Sequence, residues 1–232
     1  MGPLAEALRL LTTGDLYIWE VIFRSLQISG GALLIAVLIG LPIGAAIGLS
    51  RFRYRGSVVA LVNTGLALPP VVVGLTAFLL LSRSGPLGGL ELLYSPWAVI
   101  LAQAVIAGPY IAAVTLAATD SVPTDVRIQA RALGASPVQA ILLQLREVRT
   151  ALVAAVAAGF GAIISEVGAV MIVGGNILGE TRVMTTAIVL ETRRGNFAVA
   201  VALGIVLLVL ALYINVLLML IGRGGVRRPL TS

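Results

Sequence analysis

Few residues in this 232-residue chain can do chemistry, and three reactive kinds are missing altogether. There is no Cys, hence no thiolate nucleophile, thiolate metal ligand or disulfide. There is no His, the usual acid–base group near neutral pH and the commonest metal ligand. All 16 basic residues are Arg, which removes Schiff-base chemistry and the lysine of a nucleotide-binding loop. The sequence therefore predicts no catalytic residue and no metal site, and the chain is not read as an enzyme. Two polar features remain. Glu166 is the one acid well inside an apolar run, where a bare carboxylate is expensive. It should face protein or water, paired with an Arg or with a backbone N–H at a helix break. No second buried acid or His accompanies it, so a proton relay is disfavoured. The other feature is the stretch 174–196, where Gly174–Gly175 is followed by the donors Asn176, Thr181, Arg182, Thr185 and Thr186.

The elements that must position these groups follow from composition. The chain is 59% apolar and 11% charged, with a mean hydropathy of +1.08, whereas ordinary globular proteins carry roughly 25% charged residues. That excludes a soluble enzyme, a disordered tail and a disulfide scaffold. Uncharged windows run over Ser25–Ser50, Gly56–Ser82, Leu92–Thr119 and Gly195–Gly222, and Thr150–Gly179 is interrupted only by Glu166. A crossing helix needs about 20 apolar residues, so each window holds one span. The fold class predicted is an all-α integral membrane protein with five transmembrane helices.

Five spans place the termini on opposite sides, and charge chooses between the two arrangements. With the N-terminus outside, the inner segments hold ten Arg against three acids, and the outer ones hold six Arg against six acids. The positive-inside rule then sets the N-terminus outside and the C-terminus in the cytoplasm. The net charge of +6 and pI near 10.7 read as topology rather than as a nucleic-acid surface. Arg51, Arg53 and Arg55 anchor that topology near lipid headgroups.

Residues 1–20 contain three acids and no basic lead into an apolar core, unlike a cleavable signal peptide. Leu4, Leu8 and Leu11 predict a short amphipathic helix on the outer surface. The organisation expected is an outer segment at 1–20, a transmembrane domain at 21–222 with an inner loop at 120–149 and an outer loop at 174–196, and a tail at 223–232. Gly40 and Gly44 offer a small face for a neighbouring helix. Pro42 lies inside the first span, and Pro69–Pro70 and Pro109 should bend or break the second and third.

The inner stretch Asp120–Thr150 reads as two short helices. Pro123 opens the first, which runs through Ala130, Ala132 and Leu133 to Gly134. Ser136 caps the second, Pro137 takes its first position, and Val138, Ile141, Leu142 and Leu145 form an apolar face. The pair forms a docking surface rather than a linker.

Ala130 and Gly134, followed by this amphipathic helix, resemble the "EAA" loop of binding-protein-dependent ABC importer permeases, although the family's Glu-Ala falls on Ile128 and Gln129. The stretches 63–88 (Asn-Thr-Gly-Leu-Ala-Leu-Pro-Pro-Val-Val-Val-Gly-Leu onward) and 159–196 (Gly-Phe-Gly-Ala-Ile-Ile-Ser-Glu-Val-Gly onward) resemble the permease subunit of tungstate importers, kin to molybdate and sulfate permeases. Ala162 departs from that family, which often has Arg there.

This resemblance implies a type I ABC importer permease fold in a prokaryotic inner membrane. It also implies a C₂ homodimer, a cytoplasmic ATPase dimer that binds the ATP and Mg, and an extracytoplasmic tungstate-binding protein. Arg127, Ala130, Gly134, Ala135, Ser136, Pro137, Val138, Ile141 and Leu142 would then couple to the ATPase. Pro69, Pro70, Glu166, Asn176, Thr181, Arg182, Thr185 and Thr186 would line or gate the ion path, because a large doubly negative oxyanion needs weakly holding donors. The alternatives are a permease for molybdate, sulfate or another small solute and, in other classes, an ion-driven secondary transporter or a non-transporting scaffold.

Overall fold

The computed structural model describes residues 2–223, so most of the expected tail at 223–232, with Arg227 and Arg228, lies outside the described residues. Every regular element in that range is helical. Helix α1 (Pro3–Thr13) ends on Gly14 at φ 72°. Helix α2 (Leu16–Leu49) starts from Asp15, whose carboxylate accepts the Ile18 N–H at 3.2 Å, and runs for 34 residues. It therefore begins inside the segment expected to end at residue 20. Glu20 and Arg24 limit the uncharged window, but they do not interrupt helical hydrogen bonding.

Helices α3 (Arg55–Gly65) and α4 (Pro70–Leu81) replace the second window and meet at a 95° bend. Helix α5 (Pro96–Asp120) follows a loop containing a 3-10 turn, Gly88–Leu90. Next come α6 (Thr124–Ala132), α7 (Pro137–Glu147), α8 (Arg149–Ile164) and α9 (Gly168–Gly174). The described chain ends with α10 (Met184–Arg193) and α11 (Phe197–Arg223). Three of these helices are each long and apolar enough to cross a membrane, and the number rises to five if each bent pair is one span.

The prolines do not act alike. Pro42 and Pro109 lie inside continuous helices, so of the bend or break expected at Pro109 no break occurs, because one proline removes a single ladder bond that long, packed flanks tolerate. Pro69–Pro70 does break its span. Two successive residues lack an N–H, and Pro69 itself is extended at φ −65°, ψ 123°.

The core is a seam between α2 and α5, which run in the same direction. Ala32, Ala36, Gly40, Gly44 and Gly48 recur every fourth residue along α2 and are buried. A Cβ on Gly40 would lie 2.9 Å from the Gly108 carbonyl, and Cβ atoms on Gly44 and Gly48 would overlap the Ala112 carbonyl and the Thr119 hydroxyl. The small face read at Gly40 and Gly44 is thus filled by α5 of the same chain. Helices α4, α8 and α9 close one side of this seam, and α1, α10 and α11 build a second apolar cluster around Ile18, Phe160, Met184 and Leu203. Within α1 the buried residue is Ala7, with Leu10 and Leu11 packed beside it, while Leu4 and Leu8 stay exposed.

Candidate functional site

The helix pair α6–α7 is built as the sequence implies. Gly134 turns the chain at φ +92° with open space around it, so glycine is needed there for its backbone conformation rather than for room. Ser136 and Gln139 form a reciprocal cap: Ser136 Oγ accepts the Gln139 N–H at 3.3 Å, and Gln139 Oε1 accepts the Ser136 N–H at 2.7 Å. Pro137 occupies the first turn of α7. Ala130 and Ala140 are buried, and the Ala135 N–H donates to the Ala130 carbonyl at 3.0 Å. Leu133, Val138, Ile141 and Leu142 are left exposed, Leu133 by 88%. Arg127 turns back toward the membrane helices and donates from Nη1 to the Leu49 carbonyl at 3.2 Å. There its positive charge suits the C-terminal end of α2.

The two helix breaks lie together. A Cβ on Gly168 would lie 2.6 Å from Val71 Cγ2 and 3.4 Å from Glu166 Oε1, and one on Gly74 would lie 2.6 Å from Ala169 Cα. The first turn of α4, opened by Pro69–Pro70, therefore packs against the first turn of α9. Glu166 sits at that contact, half-buried, and its Oε1 accepts the Ala169 N–H at 2.9 Å. A helix of 16 residues such as α8 spans only about 24 Å, short of the roughly 30 Å hydrocarbon core. The break must then sit where protein groups satisfy the freed backbone. They do: Gln103 Nε2 donates to the Ile163 carbonyl at 3.2 Å, and Thr185 Oγ1 donates to the Glu166 carbonyl at 2.8 Å.

The stretch 174–196 carries α10 and folds back onto α2 and α11. Thr181, Thr185 and Thr186 are buried. The Thr181 hydroxyl donates to the Gly174 carbonyl and accepts the Ile177 N–H at 2.9 Å, and Thr186 Oγ1 accepts the Val183 N–H at 3.1 Å. Arg182 Nη2 donates to the Asn176 carbonyl at 3.1 Å, with the guanidinium 5.9 Å from the centroid of the Tyr17 ring. Of the five donors singled out there, Asn176 (Oδ1) and Arg182 (Nε) keep a buried polar atom without a partner among the described residues. The structure thus gathers Pro69, Pro70 and Glu166 at one place, with Thr185 bonded to it. Asn176, Thr181 and Arg182 form a separate knot beyond the end of α9.

Several structural residues escaped the sequence reading. Ser25, Ser29 and Gln103 are buried with Thr185 between α2, α5, α8 and α10, and Ser25 Oγ accepts the Met184 N–H at 2.7 Å. A lone Gln within the apolar run Pro96–Thr115 was the available signal. Glu191, counted above among outer charges, is 4% exposed. It accepts from Tyr17 Oη at 3.1 Å, Asn196 Nδ2 at 2.7 Å and Arg194 Nη1 at 3.3 Å. At the arginine-rich end, Arg51 and Arg55 pair with Asp120 rather than standing free, and Ala162 packs against the core.

Comparison with known proteins gives consistent matches. Residues 40–224 match the family described as "Binding-protein-dependent transport system inner membrane component". A "Probable anion ABC transporter permease protein" of Haloferax volcanii is 44% identical, over 88% of this chain and 91% of that protein. A tungstate uptake system permease protein of Peptoclostridium acidaminophilum is 39% identical, over 90% of this chain and 92% of its own. Among solved structures, a bacterial alginate ABC transporter, in complex with its alginate pentasaccharide-bound periplasmic protein, aligns with a TM-score of 0.73 at 21% identity. That alignment covers 90% of this chain and 79% of the other.

Proposed function

The chain belongs to the binding-protein-dependent transport system inner membrane components, and from that premise we propose that it is the permease subunit of an ATP-driven importer carrying tungstate. The observation that carries this reading is the α6–α7 pair, whose capped, preformed turn exposes Leu133, Val138, Ile141 and Leu142 beside the arginine-rich end. An apolar ridge on a rigid helix pair is suited to a cleft on a cytoplasmic ATPase, and this chain has no nucleotide loop of its own. The names of its relatives support an oxyanion as cargo.

In this reading two copies face each other across the path, an extracytoplasmic binding protein delivers the ion, and the N-terminus lies outside. ATP binding on the ATPase dimer draws the two α6–α7 pairs together. Helix α7 passes into α8 with only Val148 between them, at a 66° bend, so displacement of α7 turns α8. The far end of α8 is the break at Glu166, against Pro69–Pro70, and movement there opens or closes the route. Glu166 Oε1 is already engaged by the Ala169 N–H at 2.9 Å, so Glu166 acts as a cap at this break rather than as an anion ligand.

The deciding experiment is ATP hydrolysis and ion uptake by the permease reconstituted in liposomes with its ATPase and binding protein. Tungstate, molybdate and sulfate are titrated separately. Stimulation at the lowest concentration by tungstate, with accumulation inside, is the expected result. Stronger stimulation by molybdate or sulfate keeps the importer and replaces the cargo. Uptake without ATP dependence would instead indicate an ion-driven secondary transporter.

A further inference from the structure

Helix α3 is held in an unusual way. None of its 11 residues is buried, and Leu61 at its middle is 72% exposed. A groove of ≈ 520 Å³, lined by Ile39, Ile43, Leu61, Leu68, Val105 and Pro109 among others, separates it from α2 and α5. Apolar packing therefore does little to fix its position, in contrast to the glycine seam that locks α2 to α5. Among the described residues its attachments lie at its two ends, and just past the helix Tyr110 Oη donates to the Leu66 carbonyl at 3.5 Å. At its last residue, Gly65 nestles against Pro109, where a Cβ would come within 2.6 Å of Pro109 Cβ. At its first residue, Arg55 Nη2 lies 2.8 Å from Asp120 Oδ1, and Arg55 Nε donates to the Ile47 carbonyl at 3.3 Å. Arg51 Nη1 reaches the same Asp120 oxygen at 3.1 Å.

Asp120 is where this becomes mechanical. It is the last residue of α5, and only Ser121, Val122 and Pro123 separate it from α6. The α6–α7 pair is joined directly to α5 and α8, but it has no direct chain connection to α3 and the break beyond it. The Arg127 contact to Leu49 O secures the neighbouring end of α2, and it does not reach α3. Among the described residues, the polar contact between the root of α6 and α3 is Arg55 with Asp120. The Arg55 side chain is 20% exposed and that of Asp120 34%. Such pairs add little to stability, but this one bears on an element that buried apolar contacts leave free.

We propose that Arg55 and Asp120 are positioning residues that transmit displacement of the α6–α7 pair to α3, and through its 95° bend to the Pro69–Pro70 break. This rests on the importer reading. The contact fixes the first turn of α3 to the end of α5, while the groove beneath leaves its middle room to swing. Loss of the contact uncouples the break from the ATPase without removing the docking surface.

The absence of cysteine makes the test direct. A spin label is placed at Leu61→Cys in the full complex with ATPase and binding protein, and uptake per ATP hydrolysed is measured alongside label mobility with and without ATP. In Asp120→Asn and Arg55→Gln, uptake per ATP should fall about tenfold, within the range that mutations along coupling routes produce. The label should be freer and its ATP-dependent change lost, with the ATPase still co-purifying. Arg55→Lys keeps the charge and should restore both readouts to near wild type. Unchanged uptake per ATP with an unchanged label response would overturn the proposal, and so would loss of the ATPase from the complex. If the wild-type complex shows no ATP-driven uptake, the importer reading fails. The label then decides the joint by itself, because equal mobility in wild type and Asp120→Asn sinks it.

Discussion

Among the described residues, Glu166 shows how an isolated acid can sit in an apolar span without an ionic partner. Its oxygen holds the Ala169 N–H at 2.9 Å, at the start of a helix that would otherwise open with orphan donors. If capping is its contribution, the requirement is an acceptor oxygen rather than a negative charge. Glu166→Ala should therefore destabilise the detergent-solubilised protein by about 1 kcal/mol, seen as a lower unfolding midpoint, and Glu166→Gln should change it much less. Equal losses in both variants would point to the charge instead. Thr181 makes a comparable case. Its buried hydroxyl serves both the Gly174 carbonyl and the Ile177 N–H, so the near-isosteric Thr181→Val should cost about 1–3 kcal/mol in the same measurement. At this scale the sequence showed that these residues were polar and placed near breaks. It did not show what they bond, because Gln103 finds its partner 60 positions away and Ser25 finds one 159 away.

Glycines separate the elements by mechanism. Gly44 faces the Ala112 carbonyl with no room for a Cβ, whereas Gly30 on the same helix has nothing within 4 Å of one. Gly44→Ala should force α2 from α5 at about 1–3 kcal/mol and broaden the size-exclusion peak. Gly30→Ala should be neutral or stabilise by roughly 0.5–1 kcal/mol. Gly134 has space but a left-handed φ of +92°. Gly134→Leu should therefore weaken ATPase co-purification while membrane insertion stays normal, and Gly134→Asn should be milder because Asn tolerates positive φ. Normal ATPase binding by Gly134→Leu would displace the coupling role from this turn. The α6–α7 pair was legible from sequence down to Ser136 as cap, since caps and turn glycines act within four residues. The unbroken run through Pro109 was not legible, because the packing of a proline is a property of its neighbours.

The topology of the whole molecule can be tested through the same lack of cysteine. A Gly2→Cys variant should react with a membrane-impermeant maleimide in intact cells, and Arg53→Cys should react only after permeabilisation. The reverse pattern would invert the orientation proposed here. The sequence by itself determined the helical class, the number of apolar windows, the arginine bias and the α6–α7 turn. Each of these rests on quantities that add up locally along the chain: transfer of apolar residues out of water, placement of charge, and backbone conformations that glycine and proline allow or forbid. Only the tertiary structure decided that α5 fills the small face of α2, that the breaks at Pro69–Pro70 and Glu166 meet, that Glu191 is buried against Tyr17, and that α3 is tied at its start by Arg55 to Asp120. Those outcomes depend on which distant segments approach closely enough to share a carbonyl or exclude a Cβ, and hydropathy and spacing along a single strand of sequence do not encode that proximity.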